Sequence, residues 1–164
     1  MPGLTGFRKA RPDEAERLTA LAVASKASWG YPAAWIAEWT PGLAVTPDYI
    51  EREVVWVVEA GTEVVGFYAL VARGRDCLLD HFWVDPGRQG SGVGRAMFEH
   101  AVEHVRHLGA DRLMIESDPN AAAFYLHMGA SEIGHLPAPV AGDAARRLPV
   151  LEVRLASGPD ERRS

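Results

Sequence analysis

Hydrophobic and polar residues change their spacing several times along the chain, and each change predicts a different element. Apolar positions at helical spacing predict helices over residues 11–28 and 29–39, and a Thr-Pro start predicts a shorter one over 46–53. Before them, residues 7–10 predict a short strand. Next come three runs rich in β-branched and aromatic residues, separated by short Gly-bearing turns, which predict an antiparallel meander. These three predicted strands are 54–60, 64–73 and 77–84.

The second half of the chain begins with a glycine-rich stretch and continues into the most regular helical pattern. Apolar residues recur at helical spacing from Val93 to Leu108, and Gly109 stands where a helix C-terminal glycine belongs. The remaining pattern predicts a strand, a helix and two final strands over 111–117, 119–129, 130–136 and 148–155. Loop 137–147 is long enough to fold over a site, and residues 156–164 are expected to form a flexible tail.

Composition indicates one ordinary globular domain. The chain has 164 residues, of which 48% are hydrophobic and 24% charged. The formal net charge is −5 and the basic residues are spread thinly, which argues against nucleic-acid binding. No apolar run approaches the roughly 18 residues of a membrane span, and the start lacks the apolar core of a secretory signal. We therefore expect a cytoplasmic protein. Cys77 is the only cysteine, and it is expected to be a buried structural thiol.

The stretch "VDPGRQGSGVGRAM", Val84 to Met97, joins a predicted strand to the long predicted helix. Free N–H groups at a helix N-terminus, together with the helix dipole, favour phosphate oxygens. A P-loop would need Lys followed by Ser or Thr after the last glycine, where Val93 stands. A dinucleotide fingerprint would need a small residue where Arg95 stands. Both of these phosphate-binding designs fit poorly.

The order and spacing instead resemble the GCN5-related N-acetyltransferase (GNAT) family. Its signature is a strand ending in Val-x-Pro, then Arg or Gln, two residues, Gly, one residue, and Gly or Ala. It is matched by Val84, Pro86, Gln89, Gly92 and Gly94. In that family the loop binds the pyrophosphate of acyl-coenzyme A through backbone N–H groups. The resemblance implies that the cofactor-binding residues are Phe82, Val84, Gln89, Gly90, Ser91, Gly92, Val93, Gly94, Asn120 and Tyr125.

A second motif strengthens the resemblance. "SDPNAAAFYLHMGA" is similar to the family's later motif, in which an Asn precedes a helix that carries a Tyr and ends in Gly. It implies that Asn120 contacts the pantetheine arm and that Tyr125 hydrogen-bonds the thioester sulfur. From the residues alone, Tyr125 is equally an aromatic core residue, and Asn120 or Asp118 a helix cap. The family fold implied for residues 1–164 is one mixed α/β domain. It has a central, mostly antiparallel twisted sheet of about six to seven strands, flanked by about four helices.

Three side chains near the predicted sheet centre are candidates for the base that deprotonates an acceptor amine: Asp80, His81 and Glu116. Asp80 and His81 are adjacent on one strand, so we expect their side chains on opposite faces. Asp80 or Glu116 is favoured because family members often place a carboxylate in one of these strands. The alternative for each carboxylate is a solvated charge at a strand end. The resemblance also places oxyanion-binding N–H groups near Phe82 to Val84.

The acceptor site is expected between the first two helices and loop 137–147, with Trp29, Tyr31 and Trp35 as substrate-binding residues. Such aromatic residues hold an amine by cation–π contact, or simply anchor a helix. His100, His104 and His107 share one side of the long helix, but no carboxylate or cysteine completes a metal set, so no metal is expected.

The resulting hypothesis is an acetyl-coenzyme A-dependent N-acyltransferase that acts directly on a primary amine of a small molecule or peptide. The alternatives are a non-catalytic coenzyme A-binding sensor, and an enzyme that transfers to oxygen or uses another acyl group. A homodimer is the family habit.

Overall fold

The computed structural model describes residues 3–155 of the chain. It contains five α-helices and seven strands. The helices are α1 (Ala15–Ala27), α2 (Ala33–Leu43), α3 (Pro47–Arg52), α4 (Val93–His107) and α5 (Ala122–His127). The strands are β1 (Gly6–Lys9), β2 (Val54–Ala60), β3 (Glu63–Arg73), β4 (Asp76–Val84), β5 (Arg112–Glu116), β6 (Ser131–Pro137) and β7 (Arg147–Arg154). The tail predicted at 156–164 lies outside the described residues.

The seven strands form one sheet in the order β1-β2-β3-β4-β5-β7-β6. All neighbours are antiparallel except β4 and β5, which are parallel. These two strands pair only where Asp76–Leu78 faces Arg112–Met114. Beyond this short ladder β4 continues to Val84 and β5 to Glu116, but the two strands are not paired with each other there. The sheet therefore opens at its centre, directly before the glycine-rich stretch.

Each face of the sheet carries its own hydrophobic core. On one face α4 and α5 cover the strands, and Met97, Phe98 and Tyr68 are almost completely buried there. On the other face α1, α2 and α3 enclose a second core that includes Leu18 and Phe67. Burying apolar area on both faces makes the sheet a rigid platform for the opening between β4 and β5.

The structure confirms the predicted mixed α/β fold with a mostly antiparallel sheet. The helix predicted at 29–39 instead spans Ala33–Leu43, because Gly30 has a positive φ of 82° and Pro32 is the N-cap in extended conformation. The helix predicted at 119–129 is shorter, Ala122–His127. Cys77 is buried as expected, and burial raises the pKa of its thiol.

Candidate active site

A cavity of about 650 Å³ lies where β4 and β5 separate. It runs between the glycine-rich stretch, α5 and the C-terminal part of α1. The predicted site residues that line it are Trp29, Asp80, Phe82, Val84, Gln89, Gly90, Gly92, Gly94, Glu116 and Tyr125. The cavity therefore brings together residues from both motifs that had been predicted separately.

The glycine loop, residues 85–92, presents backbone donors to this cavity. Asp85 accepts a hydrogen bond from Gly87 N (2.8 Å) and orders the turn that starts the loop. Gly92 is the N-cap of α4 and has a φ of 92°, a left-handed conformation that favours glycine. The first N–H groups of α4 have no partner within the helix, and the helix dipole adds positive potential at the same point. The geometry suits an anion.

Ser91 and Gly94 are both predicted cofactor-binding residues, and each also has a role within the fold. The N–H of Ser91 donates to Arg88 O (3.2 Å), and its hydroxyl contacts the same oxygen, so this amide is already engaged. A Cβ on Gly94 would meet the Phe124 ring at 3.4 Å. The glycine at position 94 thus permits close packing of α4 against α5, in addition to any approach of a phosphate.

Tyr125 projects from α5 into the inner part of the cavity. Its ring packs edge to face against Phe82 of β4, with ring centroids 5.7 Å apart. Burial, and then the negative charge of Asp118, raise the pKa of the phenol. The hydroxyl therefore stays protonated at neutral pH and is able to donate a hydrogen bond.

Asn120 lies in the turn between β5 and α5, and it is not the cap of α5, because the N-cap residue is Ala121. Its backbone N–H donates to Asp118 Oδ1 (2.8 Å), which makes Asp118 the residue that orders this turn. The Asn120 side-chain amide donates to the Tyr31 hydroxyl (2.8 Å). Asn120 thus connects the turn to the segment between α1 and α2.

The expectation that Asp80 and His81 point to opposite faces is wrong. In the β3–β4 ladder Ala69 pairs with His81 and Leu70 pairs with Leu79, so Asp80 is the extra residue of a β-bulge. Both side chains contact Tyr49 of α3. Its hydroxyl donates to Asp80 Oδ2 (2.5 Å), and its ring lies edge-on to the imidazole, with centroids 5.6 Å apart.

The three predicted bases have different surroundings. Asp80 is exposed and lines the cavity. Glu116 also lines it, and within residues 3–155 its one salt bridge is to Arg73 at 3.7 Å. His81 is buried, accepts a hydrogen bond from Trp83 Nε1 (2.9 Å), and has a pKa lowered by burial. It is a packed core imidazole rather than a cavity residue.

A buried ion pair that the sequence did not reveal forms one wall of the cavity. Lys26 Nζ of α1 donates to Asp118 Oδ2 (2.5 Å), and the Tyr31 hydroxyl donates to Asp118 Oδ1 (2.8 Å). Burial opposes ionisation of Asp118, but the hydrogen bond and charge of Lys26 outweigh it and lower the pKa of the carboxyl. Burial also lowers the pKa of Lys26, an effect that Asp118 partly offsets. The only sequence signal was the place of Lys26, four residues after buried Ala22 on the inner side of α1.

Side chains next to this ion pair also contact the loop between β6 and β7 and hold it against α2. The Arg146 guanidinium lies 4.6 Å from the Trp39 ring and 3.9 Å from Asp118 Oδ2. Trp35 Nε1 donates to Ala141 O (2.6 Å). Of the three aromatic residues predicted to bind substrate, Trp29 borders the cavity, whereas Tyr31 and Trp35 lie in the wall that positions the loop. The loop packs against α2 and Asp118, and none of its residues lines the cavity, so the expectation that it folds over the site stays a prediction.

The three histidines of α4 lie beside a separate depression of about 210 Å³ that also includes Trp56 and Glu103. The His100 ring stacks on Phe7 at 4.0 Å, and its Nδ1 lies 2.7 Å from the Tyr68 hydroxyl. Among residues 3–155, no three or more His, Cys, Asp or Glu side chains are arranged to hold a metal ion. In the same range, no helix combines the length and apolar character that crossing a membrane requires.

Comparison with known families identifies the class of protein to which this fold belongs. Residues 16–130 match the model of the Acetyltransferase (GNAT) family, so the chain belongs to that family. No curated protein sequence matches the chain.

Solved structures show the same fold at low sequence identity. A GCN5-related N-acetyltransferase from Rhodopseudomonas palustris has a TM-score of 0.75 and 19% identity, with 94% of this chain and 98% of that chain covered. The PaiA N-acetyltransferase from Thermoplasma acidophilum, solved with coenzyme A, has a TM-score of 0.73 and 15% identity, covering 92% and 98%. YncA from Salmonella typhimurium, described as a putative acetyltransferase and solved with acetyl-coenzyme A, has a TM-score of 0.69 and 15% identity, covering 95% and 96%.

Proposed function

We propose that this protein transfers an acetyl group from acetyl-coenzyme A directly to a primary amine of a small molecule or peptide. The observation that carries the proposal is the composition of one cavity. It joins the N–H groups at the start of α4, the Tyr125 hydroxyl and two carboxylates, Asp80 and Glu116. Neighbours of the same fold that were solved with coenzyme A or acetyl-coenzyme A support the choice of cosubstrate.

The glycine loop and the α4 N-terminus bind the pyrophosphate in this proposal, and the opening between β4 and β5 receives the pantetheine arm. The first-turn amides supply donors without a lysine, which is consistent with Val93 and Arg95 standing where other phosphate loops need different residues. Phe82 and Val84 line the opening, and unpaired N–H groups of this strand are placed to stabilise charge on the thioester oxygen.

The carboxylates and Tyr125 handle protons at the two ends of the reaction. A lysine-like amine has a pKa near 10.4, so its neutral form costs roughly 4.6 kcal/mol at pH 7. A carboxylate that accepts the amine proton, directly or through water, reduces this obstacle. The amine nitrogen bonds to the carbonyl carbon and the carbon–sulfur bond breaks. Tyr125 donates a hydrogen bond to the leaving thiolate, which takes up the second proton that the nitrogen releases, relayed through Tyr125 or water, and ends as the coenzyme A thiol.

Direct transfer is favoured over a covalent acyl-enzyme. Cys77 is buried in the core beneath α4, and burial raises the pKa of its thiol, which disfavours the nucleophilic thiolate. Asp80 and Glu116 also favour an enzyme over a coenzyme A sensor, because binding the cosubstrate alone requires neither carboxylate.

The test is a panel of amines, amino acids, polyamines, aminoglycosides and peptide N-termini incubated with acetyl-coenzyme A. Released coenzyme A is measured with a thiol reagent, and products are identified by mass spectrometry. We expect amine-dependent release and an N-acetylated product. Tight binding of acetyl-coenzyme A by calorimetry without turnover on any amine would favour the sensor. An ester product, preferred turnover of a longer acyl-coenzyme A, or acylated Cys77 would contradict the proposed reaction in other ways.

A further inference from the structure

Two carboxylates line the acceptor side of the cavity, but only one of them is held in a defined position. Glu116 is exposed at the end of β5, and its partner Arg73 is 3.7 Å away with a side chain that is 60% exposed. Exposed pairs of this kind contribute little and do not fix a side chain. Asp80 differs because its Oδ2 accepts a 2.5 Å hydrogen bond from the Tyr49 hydroxyl.

The bulge in β4 creates this contact. Asp80 is the unpaired residue between Leu79 and His81, so the strand turns both polar side chains toward α3. A bulge next to an active site commonly redirects a side chain in this way.

Tyr49 is itself well fixed. Its backbone N–H donates to the side chain of Thr46, the N-cap of α3 (3.1 Å). Its ring packs edge-on against buried His81, which is held in turn by Trp83 Nε1. Burial, and then the hydrogen bond to Asp80, raise the pKa of Tyr49, so the phenol is the donor and the carboxylate the acceptor. The other ionisable groups around the pair are His81 and, on α3, Arg52 and Glu53.

We propose that Asp80 is the base of the reaction and that Tyr49 is the residue that holds the Asp80 carboxylate in position. The inference depends on the proposed function. The Tyr49 hydroxyl occupies Oδ2 and leaves Oδ1 to accept the proton of the acceptor amine. Because Asp80 is also exposed, that proton passes on to solvent.

The experiment combines Tyr49→Phe, Asp80→Asn and the double variant. Tyr49→Phe keeps the ring that packs on His81 and removes only the hydroxyl. We expect a kcat reduced roughly 10- to 100-fold with an unchanged KM for acetyl-coenzyme A. The KM for the amine should also be unchanged, and lost packing alone would not cause such a split between kcat and KM. In the Asp80→Asn background, Tyr49→Phe should have no further effect, because Tyr49 acts through Asp80.

Tyr68→Phe is the matched control, since it deletes a phenol that contacts His100 on the α4 side of the sheet. It should leave kcat unchanged. Full activity of Asp80→Asn with loss of activity in Glu116→Gln would overturn the inference, and so would additive effects of Tyr49→Phe and Asp80→Asn. An unchanged kcat in Tyr49→Phe would also overturn it. In each of these cases the wild type still acetylates amines, so the proposed function stands. A wild type that binds acetyl-coenzyme A but acetylates no amine would overturn both.

Discussion

Asp118→Asn tests the reasoning about the wall of the cavity most directly. The Asp118 carboxylate accepts hydrogen bonds from Lys26 Nζ, the Tyr31 hydroxyl and the Asn120 N–H, and Arg146 lies 3.9 Å away. The side chains of Lys26, Asp118 and Arg146 are 11%, 8% and 8% exposed. Removing one partner of a buried pair costs about 3–5 kcal/mol, because the remaining charge stays buried without compensation.

The structure also predicts an asymmetry. Asp118→Asn leaves two buried cations, Lys26 and Arg146, without a counterion. Lys26→Met leaves the Asp118 carboxylate with Tyr31, the Asn120 N–H and the nearby Arg146, and it preserves packing on Trp39. Its cost should therefore be smaller, about 1–3 kcal/mol.

The assay is urea unfolding, with melting temperature as a second measure. For a chain of this size Asp118→Asn should lower the melting temperature by roughly 6–20 °C. Because the pKa of Asp118 is lowered in the folded state, its stabilising effect is present above the unfolded pKa of about 3.9 and is lost as pH falls below it. The difference in unfolding free energy between the wild type and Asp118→Asn should therefore become smaller as pH falls below about 3.9. A loss below about 1 kcal/mol for Asp118→Asn, or an equal loss for Lys26→Met, would refute the reasoning.

Three further outcomes are expected. Tyr125→Phe should lower kcat by about 100-fold while calorimetry shows nearly unchanged coenzyme A binding, and an unchanged kcat would exclude Tyr125 from the chemistry. Gly92→Asp should weaken coenzyme A binding roughly 100-fold or more through backbone strain and charge repulsion. Gly74→Asp changes another glycine of positive φ (60°), in the β3–β4 hairpin, and should bind coenzyme A normally. Burial lowers the pKa of His100, so unfolding free energy should fall as pH drops below about 6.5. His100→Asn should reduce this slope, as measured by urea titrations across that range.

Much of the fold was predictable because it depends on short-range patterns. The β-branched and aromatic runs of β2, β3 and β4 reflect local strand preference, and the helical period of α4 follows from how backbone geometry places successive side chains. The glycine loop was predictable for a related reason, since its function depends on consecutive backbone groups and needs no distant partner. Tyr125 was predictable only through its place in a motif, because a buried aromatic on a short helix has no distinctive pattern of its own.

By itself, the sequence determined the element order, the glycine-rich loop at the start of α4 and the GNAT resemblance that the family match confirmed. Tertiary structure alone decided which polar side chains meet. The bulge that places Asp80 and His81 on one face comes from the register between β3 and β4, which strict alternation cannot foresee. Lys26 and Asp118 are 92 residues apart, and Tyr49 and Asp80 are 31 apart. Contacts of this kind exist only after the sheet and helices have packed, because no local periodicity records the partner of a single charged side chain.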